Sequence, residues 1–320
     1  MKYEHVLAYV ASQLWAIEPS KLQELLAVLA FRAAGHTFTA AEIQARIGGG
    51  GGGSSASSQG AVAIIPVRGI IANRMGSMDD SSGGTSCERI AAMIDQVAAD
   101  PSVSTIVYDF DTPGGTVTGI ETLAAKIFAL RGVKKQIAMV TGMCASAGYW
   151  LGSQCDEIVS VPDGEIGSIG TRWTPHADLS GALEKQGIVV TEIYSGKYKT
   201  EGSPNQPLSA EAKAFKQSQS DAIYDKFVKA VARGRGTTPA KVENGYGEGR
   251  VLFAKDAKAA GLIDRIATMD ETLARLVGRK PAAGGMRAEH EGDELAASLP
   301  QADGDDGRQD DDYARRRRLL

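Results

Sequence analysis

The sequence predicts an α/β protein built on a mostly parallel sheet, and three observations predict it. From Ala61 onward, short apolar runs alternate with stretches whose apolar residues recur at helical spacing. Strands separated by helices of about ten to fifteen residues imply right-handed crossovers, and therefore parallel neighbours. A glycine- and serine-rich stretch just before Ala61 detaches this pattern from the N-terminal residues.

Composition limits the function classes. With 320 residues, 43% of them hydrophobic, the chain has the share of apolar residues expected of a globular protein with a sizeable core. A formal net charge of -4 gives no whole-chain reason to expect nucleic acid as a partner. Cys87, Cys144 and Cys155 are odd in number and lack metal-ligand spacing, which argues against a disulfide framework, fits a reducing compartment and leaves no metal or cofactor expected. Lys2, Glu4, His5 and Glu18 interrupt the N-terminal apolar residues, so neither a secretion signal nor a membrane span is expected, and the expected location is cytoplasmic.

Residues 1–47 read as a small, self-contained helical segment. Leu22, Leu25, Leu26, Leu29 and Ala30 fall at helix spacing after Pro19-Ser20, and Thr39 to Glu42 has the form of a capping box. Residues 48–60 read as a flexible linker and 61–279 as the main domain. In that domain 61–67 is a strand, 87–99 a helix with Ile90, Met93, Ile94 and Val97 on one face, and 103–110 a strand that runs into Asp111-Thr112-Pro113-Gly114-Gly115. A helix over 118–131 leads to a strand over 136–140 and a short helix opening at Ser146. Strands over 157–161 and 188–194, with a helix over 179–186 between them, continue the alternation. Helices over 209–233 and 254–262 follow. Residues 280–320 hold an acidic cluster and a closing run Arg315 to Arg318 without apolar periodicity, and read as a disordered tail.

The stretch with chemical character is Met143-Cys144-Ala145-Ser146-Ala147-Gly148-Tyr149-Trp150. A strand that ends in small residues, with a serine opening a helix, presents a hydroxyl where backbone N–H groups and a helix dipole meet, so Ser146 is the candidate nucleophile. The same run also suits a close-packed helix start, and its flanking alanines depart from the G-x-S-x-G elbow. Gly114-Gly115 is a candidate source of oxyanion donors, because residues without Cβ let a carbonyl approach the main chain. In a parallel α/β unit both loops fall at the carboxyl edge of the sheet, where such folds place ligands.

A serine also needs a base. Of the four histidines, His176 alone lies in this region, while Ser195-Gly196-Lys197-Tyr198-Lys199-Thr200 offers two lysines. A lysine at its ordinary pKa near ~10.4 is neutral in about one molecule in two thousand at pH 7, so a lysine base requires shelter or a neighbouring cation. If the segment is extended, Lys197 and Lys199 share a face and one depresses the other.

Taken in order, Asp111-Thr-Pro-Gly-Gly115, Ala145-Ser146-Ala147-Gly148-Tyr149, Gly167-Ser-Ile-Gly170 and Ser195-Gly196-x-x-Lys199 with Ser203-Pro204 resemble the signal peptide peptidase A (S49) family of serine proteases over about residues 61–275. The resemblance implies a Clp-protease- or crotonase-like βα spiral and a Ser-Lys dyad. Ser146 is then the nucleophile, Lys199 the base, and Gly115 and Ala147 the oxyanion donors. It also implies a homo-oligomer acting on polypeptides. The small N-terminal segment and charged C-terminal extension resemble the phage capsid assembly branch, whose implied substrates are capsid, portal or scaffolding proteins and the enzyme itself, with the prohead or host cytoplasm as location.

Four other readings remain open at this point: a cytoplasmic bacterial protease of the same family, a Clp-type peptidase using His176, a crotonase-type acyl-CoA enzyme with no need of Ser146, and an inactive assembly factor. Cys144, Tyr149 and Trp150 are expected to be packing residues rather than chemistry.

Overall fold

A computed structural model describes residues 10, 12–33, 57–59, 61–74 and 84–278. The expected capping box at Thr39, most of the linker and the charged tail lie outside the described residues.

Among the described residues β1 (Leu14–Ile17) precedes α1 (Pro19–Ala33), so Leu14 to Ile17 is strand where the sequence suggested helix. Four apolar residues before a helix-starting Pro19 are too few to reveal which period they follow. The main domain then runs β2 (Ser57–Gln59), β3 (Val62–Arg68), β4 (Ile71–Ala72), β5 (Thr85–Ser86), α2 (Cys87–Ala99), β6 (Thr105–Thr112), β7 (Gly114–Thr116) and α3 (Ile120–Ala129). It continues through β8 (Lys135–Ala145), α4 (Ala147–Gly152), β9 (Glu157–Ser160), β10 (Glu165–Gly167), β11 (Arg172–Trp173) and α5 (Ser180–Lys185). The remaining elements are α6 (Ala210–Arg235), α7 (Pro239–Gly245), β12 (Val251–Phe253), α8 (Ala254–Ala260), β13 (Arg265–Ile266) and α9 (Met269–Leu276).

The α/β class and the mostly parallel sheet are what the structure has. In the main sheet β3, β6, β8 and β10 run parallel in the order β12-β10-β8-β6-β3-β2, with the outermost described strands β12 and β2 antiparallel, while β9 pairs with β8 and β13 with β9, both parallel. Its strands bury residues of alternating parity on opposite faces, as the pleat dictates. Ala63, Ile65, Val67, Ile106, Tyr108, Phe110, Ala138 and Val140 face the larger core with α2, α3, α4 and α6. Val62, Val107, Ile137 and Met139 face the other side, where Met269, Leu273 and Leu276 of α9 cover them. A second sheet, β11-β1-β7-β4-β5, stands at the carboxyl edge of the first.

Helix ends follow from their sequence. Ser209 caps α6 by accepting from Ala212 N–H at 3.0 Å, and Gly236 ends it in the left-handed region at φ 61°. Thr268 and Glu271 form a reciprocal capping box on α9.

Residues 188–194 are corrected: they join no strand. Ile188 N–H closes back on Leu183 at 2.9 Å, and Val189 and Ile193 stand 90% and 96% exposed. Their β propensity is genuine, but no neighbouring strand within the described chain offers it a partner.

Candidate active site

Ser146 sits at the turn from β8 into α4 with φ 53° and ψ -116°. A non-glycine residue there carries backbone strain of about 1–3 kcal/mol, and such strain persists only where the surroundings hold it. Ser146 N–H donates to Gly167 carbonyl at 2.7 Å, and Ser168 N–H donates to Arg250 carbonyl at 2.7 Å, so β10 and the chain before β12 brace the turn. Ser168 is itself buried at φ 53°. Below the turn, the helix that starts at Ala147 is anchored by its aromatic residues. Trp150 stacks on Phe227 of α6 at 4.6 Å, and Tyr149 hydroxyl donates to Leu262 carbonyl at 2.8 Å. Both rings are core, as expected, and burial pushes the Cys144 thiol well above its ordinary range, which leaves it a packed small residue.

The glycine pair reaches the same place. A Cβ built on Gly114, which has φ +100°, would lie 3.0 Å from Ala147 N and 3.0 Å from Ala145 O. On Gly115 it would meet Ile71 O at 1.7 Å. No side chain fits at either position. Thr112, fully buried, fixes the loop from behind: its hydroxyl donates to Gly69 carbonyl at 2.6 Å and accepts from Gly114 N–H at 3.1 Å. Asp111 does similar work on β8. Its carboxylate accepts from Met143 N–H at 3.2 Å, beside a break in the β6–β8 register that falls between Phe110 and Thr112.

The structure therefore brings Ser146, Ala147, Gly114 and Gly115 together at one edge, an arrangement that suits a developing oxyanion beside a hydroxyl. It does not enclose Lys199. Residues 195–200 form turns, with Lys199 N–H donating to Gly196 carbonyl at 3.1 Å, so the expected extended face shared by Lys197 and Lys199 is corrected. Lys199 is exposed. Lys197 is engaged elsewhere: its hydrogen bonds to Tyr198 and to Glu211 at 3.1 Å raise its pKa and keep it a cation. His176 Nε2 lies 3.2 Å from Gln206 carbonyl oxygen.

The sequence reading missed β1. It pairs antiparallel with β7, Ala16 opposite Gly115 and Ile17 opposite Gly114, and on its other side with β11. The one available signal was the apolar run Leu14-Trp15-Ala16-Ile17 before Pro19, which is too short to stand out.

No helix among the described residues is long and apolar enough to cross a membrane. Comparison with known proteins bears on the chemistry. The chain is 32% identical over 248 residues to the capsid assembly protease C of Escherichia phage lambda, covering 76% of this chain and 56% of that protein. It is 31% identical over 212 residues to the head-tail preconnector protein of Enterobacteria phage P21, covering 66% and 42%. A putative protease of Methanocaldococcus jannaschii is 34% identical over 187 residues, covering 58% of each. The chain thus spans roughly half the length of these relatives. A solved enoyl-CoA hydratase/isomerase family member is 17% identical over 70% of this chain and 74% of its own, with a TM-score of 0.40, a likeness too weak to carry weight. Residues 129–281, which include Ser146, Ala147 and Lys199, match Peptidase family S49, and the similarity to the lambda capsid assembly protease spans 248 residues.

Proposed function

We propose that the chain is a serine endopeptidase in which Ser146 is the nucleophile and Lys199 the base, acting on polypeptides of an assembling phage head and on itself. The observation that carries this reading is the strained Ser146 at a strand-to-helix turn, beside a glycine pair that admits no side chain. In the reaction Ser146 Oγ attacks the scissile carbonyl carbon and gives its proton to the Lys199 amine, while the carbonyl oxygen, now anionic, is held by the N–H groups of Gly115 and Ala147. Lysine returns the proton to the departing amine, and water then releases the acyl group from the serine.

Lys199 is exposed in the single chain, whereas a lysine base must be sheltered. In the same stretch of chain Val189, Ile193, Tyr194 and Tyr198 are exposed as well, apolar side chains that a second copy of the chain would cover. The reading therefore takes the active form to be a homo-oligomer. Head proteins are favoured as substrates because two similar proteins are named for capsid assembly and for the head-tail connection.

A fluorophosphonate labels an activated serine, so mass spectrometry of labelled chain should find the adduct on Ser146. Ser146→Ala and Lys199→Ala should both be silent, while His176→Ala labels normally. Labelling of Lys199→Ala at the native rate would overturn the dyad. Absence of label on Ser146 under every condition, with β1 displaced as well as in place, would overturn the serine reading and leave the acyl-CoA or inactive alternatives.

A further inference from the structure

We propose that Leu14–Ile17 occupies the peptide groove as an internal stand-in for substrate and keeps the site closed until it is displaced. The proposal rests on the Ser146 reading above. β1 lies between β7 and β11, antiparallel to both. Those strands are the two walls of the candidate site. β7 carries Gly115, and β11 begins two residues after Gly170, whose carbonyl oxygen lies 3.4 Å from Ser146 Oγ.

The pairing is that of an extended peptide on a sheet edge. Val117 N–H donates to Leu14 carbonyl at 3.3 Å and Glu18 N–H donates to Pro113 carbonyl at 2.7 Å. Bonded pairs in an antiparallel ladder alternate, so the Ala16–Gly115 pair falls in the bonded phase and Gly115 N–H is directed at Ala16 carbonyl. A single point, the place of a Cβ on Gly114, lies 2.3 Å from Ala16 O and 3.0 Å from Ala147 N. The Ala16 carbonyl therefore takes one expected oxyanion donor, the Gly115 N–H, and stands near the second, the N–H of Ala147. With β1 in place Ser146 is 1% exposed and Ala147 is fully buried, which is the closed state the proposal requires.

The segment is also built to leave. Trp15 and Ile17 pack with Val10, Leu22, Val28 and Leu29, a cluster that comes from residues 10–29 except for Ile70. Trp15 Nε1 donates to Val10 carbonyl at 3.0 Å, again within the segment. Lifting β1 with α1 breaks two short ladders and the contacts of Ile70 and Ala16, and leaves the segment's own small core intact. This is how an inhibitory strand differs from a strand woven into the main core.

The test uses the full chain. Ala16→Pro removes the N–H that faces Gly115 and cannot be accommodated in a strand paired on both sides. Fluorophosphonate labelling of Ser146 is expected to be at least about tenfold faster in Ala16→Pro than in the native chain, and a synthetic peptide of residues 13–18 is expected to slow it again. Equal rates in the two folded proteins overturn the latch and leave the serine reading standing, whereas no label on Ser146 in either sinks both. A native chain found cut after Ala16 also overturns it, since the segment would then be a substrate. Should Ala16→Pro fail to fold, hydrogen exchange of the native chain decides. Gly115 and Val117 amides are expected to exchange by local opening well ahead of those of β8, and exchange only through global unfolding overturns the proposal.

Discussion

The backbone N–H of Ser146 donates to the carbonyl of Gly167 at 2.7 Å, which ties the end of β8 to the end of β10 across a residue held at positive φ. The nucleophile turn is thus stabilised by its neighbour strand while remaining locally strained. Ser146→Gly should relieve that strain, raising stability by about 1 kcal/mol, and abolish serine labelling. Thermal unfolding beside labelling checks both halves, and a fall in melting temperature would show that the turn is not strained.

Thr112 holds the glycine loop through one donated and one accepted hydrogen bond in a fully buried site. Thr112→Val keeps the shape and removes both bonds, leaving Gly114 N–H and Gly69 carbonyl without that partner. The expected loss is about 1–3 kcal/mol in chemical denaturation, together with slower acylation of Ser146 in the still-folded protein.

At Gly115 a methyl group would lie 1.7 Å from the carbonyl oxygen of Ile71, a backbone atom that cannot rotate away. Gly115→Ala should therefore lose more than about 2 kcal/mol and yield little folded protein. Gly132→Ala is the control for expression: it too has positive φ, but nothing lies within 4 Å of the new Cβ, so its loss should be smaller and confined to backbone strain.

Lys197 and Lys199 are two residues apart and differ in partner, since Lys197 is paired with Glu211 at 3.1 Å. Lys197→Ala is expected to leave Ser146 labelling within about twofold of native, an exposed ion pair contributing little. Lys199→Ala is expected to abolish it, and steady-state labelling of the two variants side by side is the measurement.

Acid should loosen the joint between α6 and the strand edge at β9. Burial pushes the Asp264 carboxyl up, but the Arg235 guanidinium and the Ile158 N–H outweigh it and hold the group below the usual carboxylate range. A group depressed in the folded state stabilises the fold above its unfolded value near ~3.9, and that contribution is lost as pH falls through the folded value. Glu157 behaves alike: burial opposes ionisation, Arg275 and Arg265 more than offset it, and its pKa is lowered. Melting temperature should therefore fall below about pH 4, and Asp264→Asn should lower it at neutral pH while flattening that acid limb.

By itself the sequence determined the α/β class, the strands near 61–67 and 103–110, the packing roles of Tyr149 and Trp150, and the candidates Ser146 and Gly115. These were legible because apolar periodicity and small residues beside a serine are local signals, written within a few positions of each other. The choice of Lys199 over Lys197, and the role of Ala147, were legible only through a family pattern. The solvent exposure of Lys199 in one chain was not, because shelter is a property of what packs on a residue rather than of the residue. Only the tertiary structure decided that residues 188–194, β-prone by composition, have no strand to pair with among the described residues. It also decided that Leu14 to Ile17 crosses to the far Gly114–Thr116 strand, a hundred residues on by roughly the count of the sequence, because strand pairing depends on which backbone edge is vacant and no side-chain pattern records that.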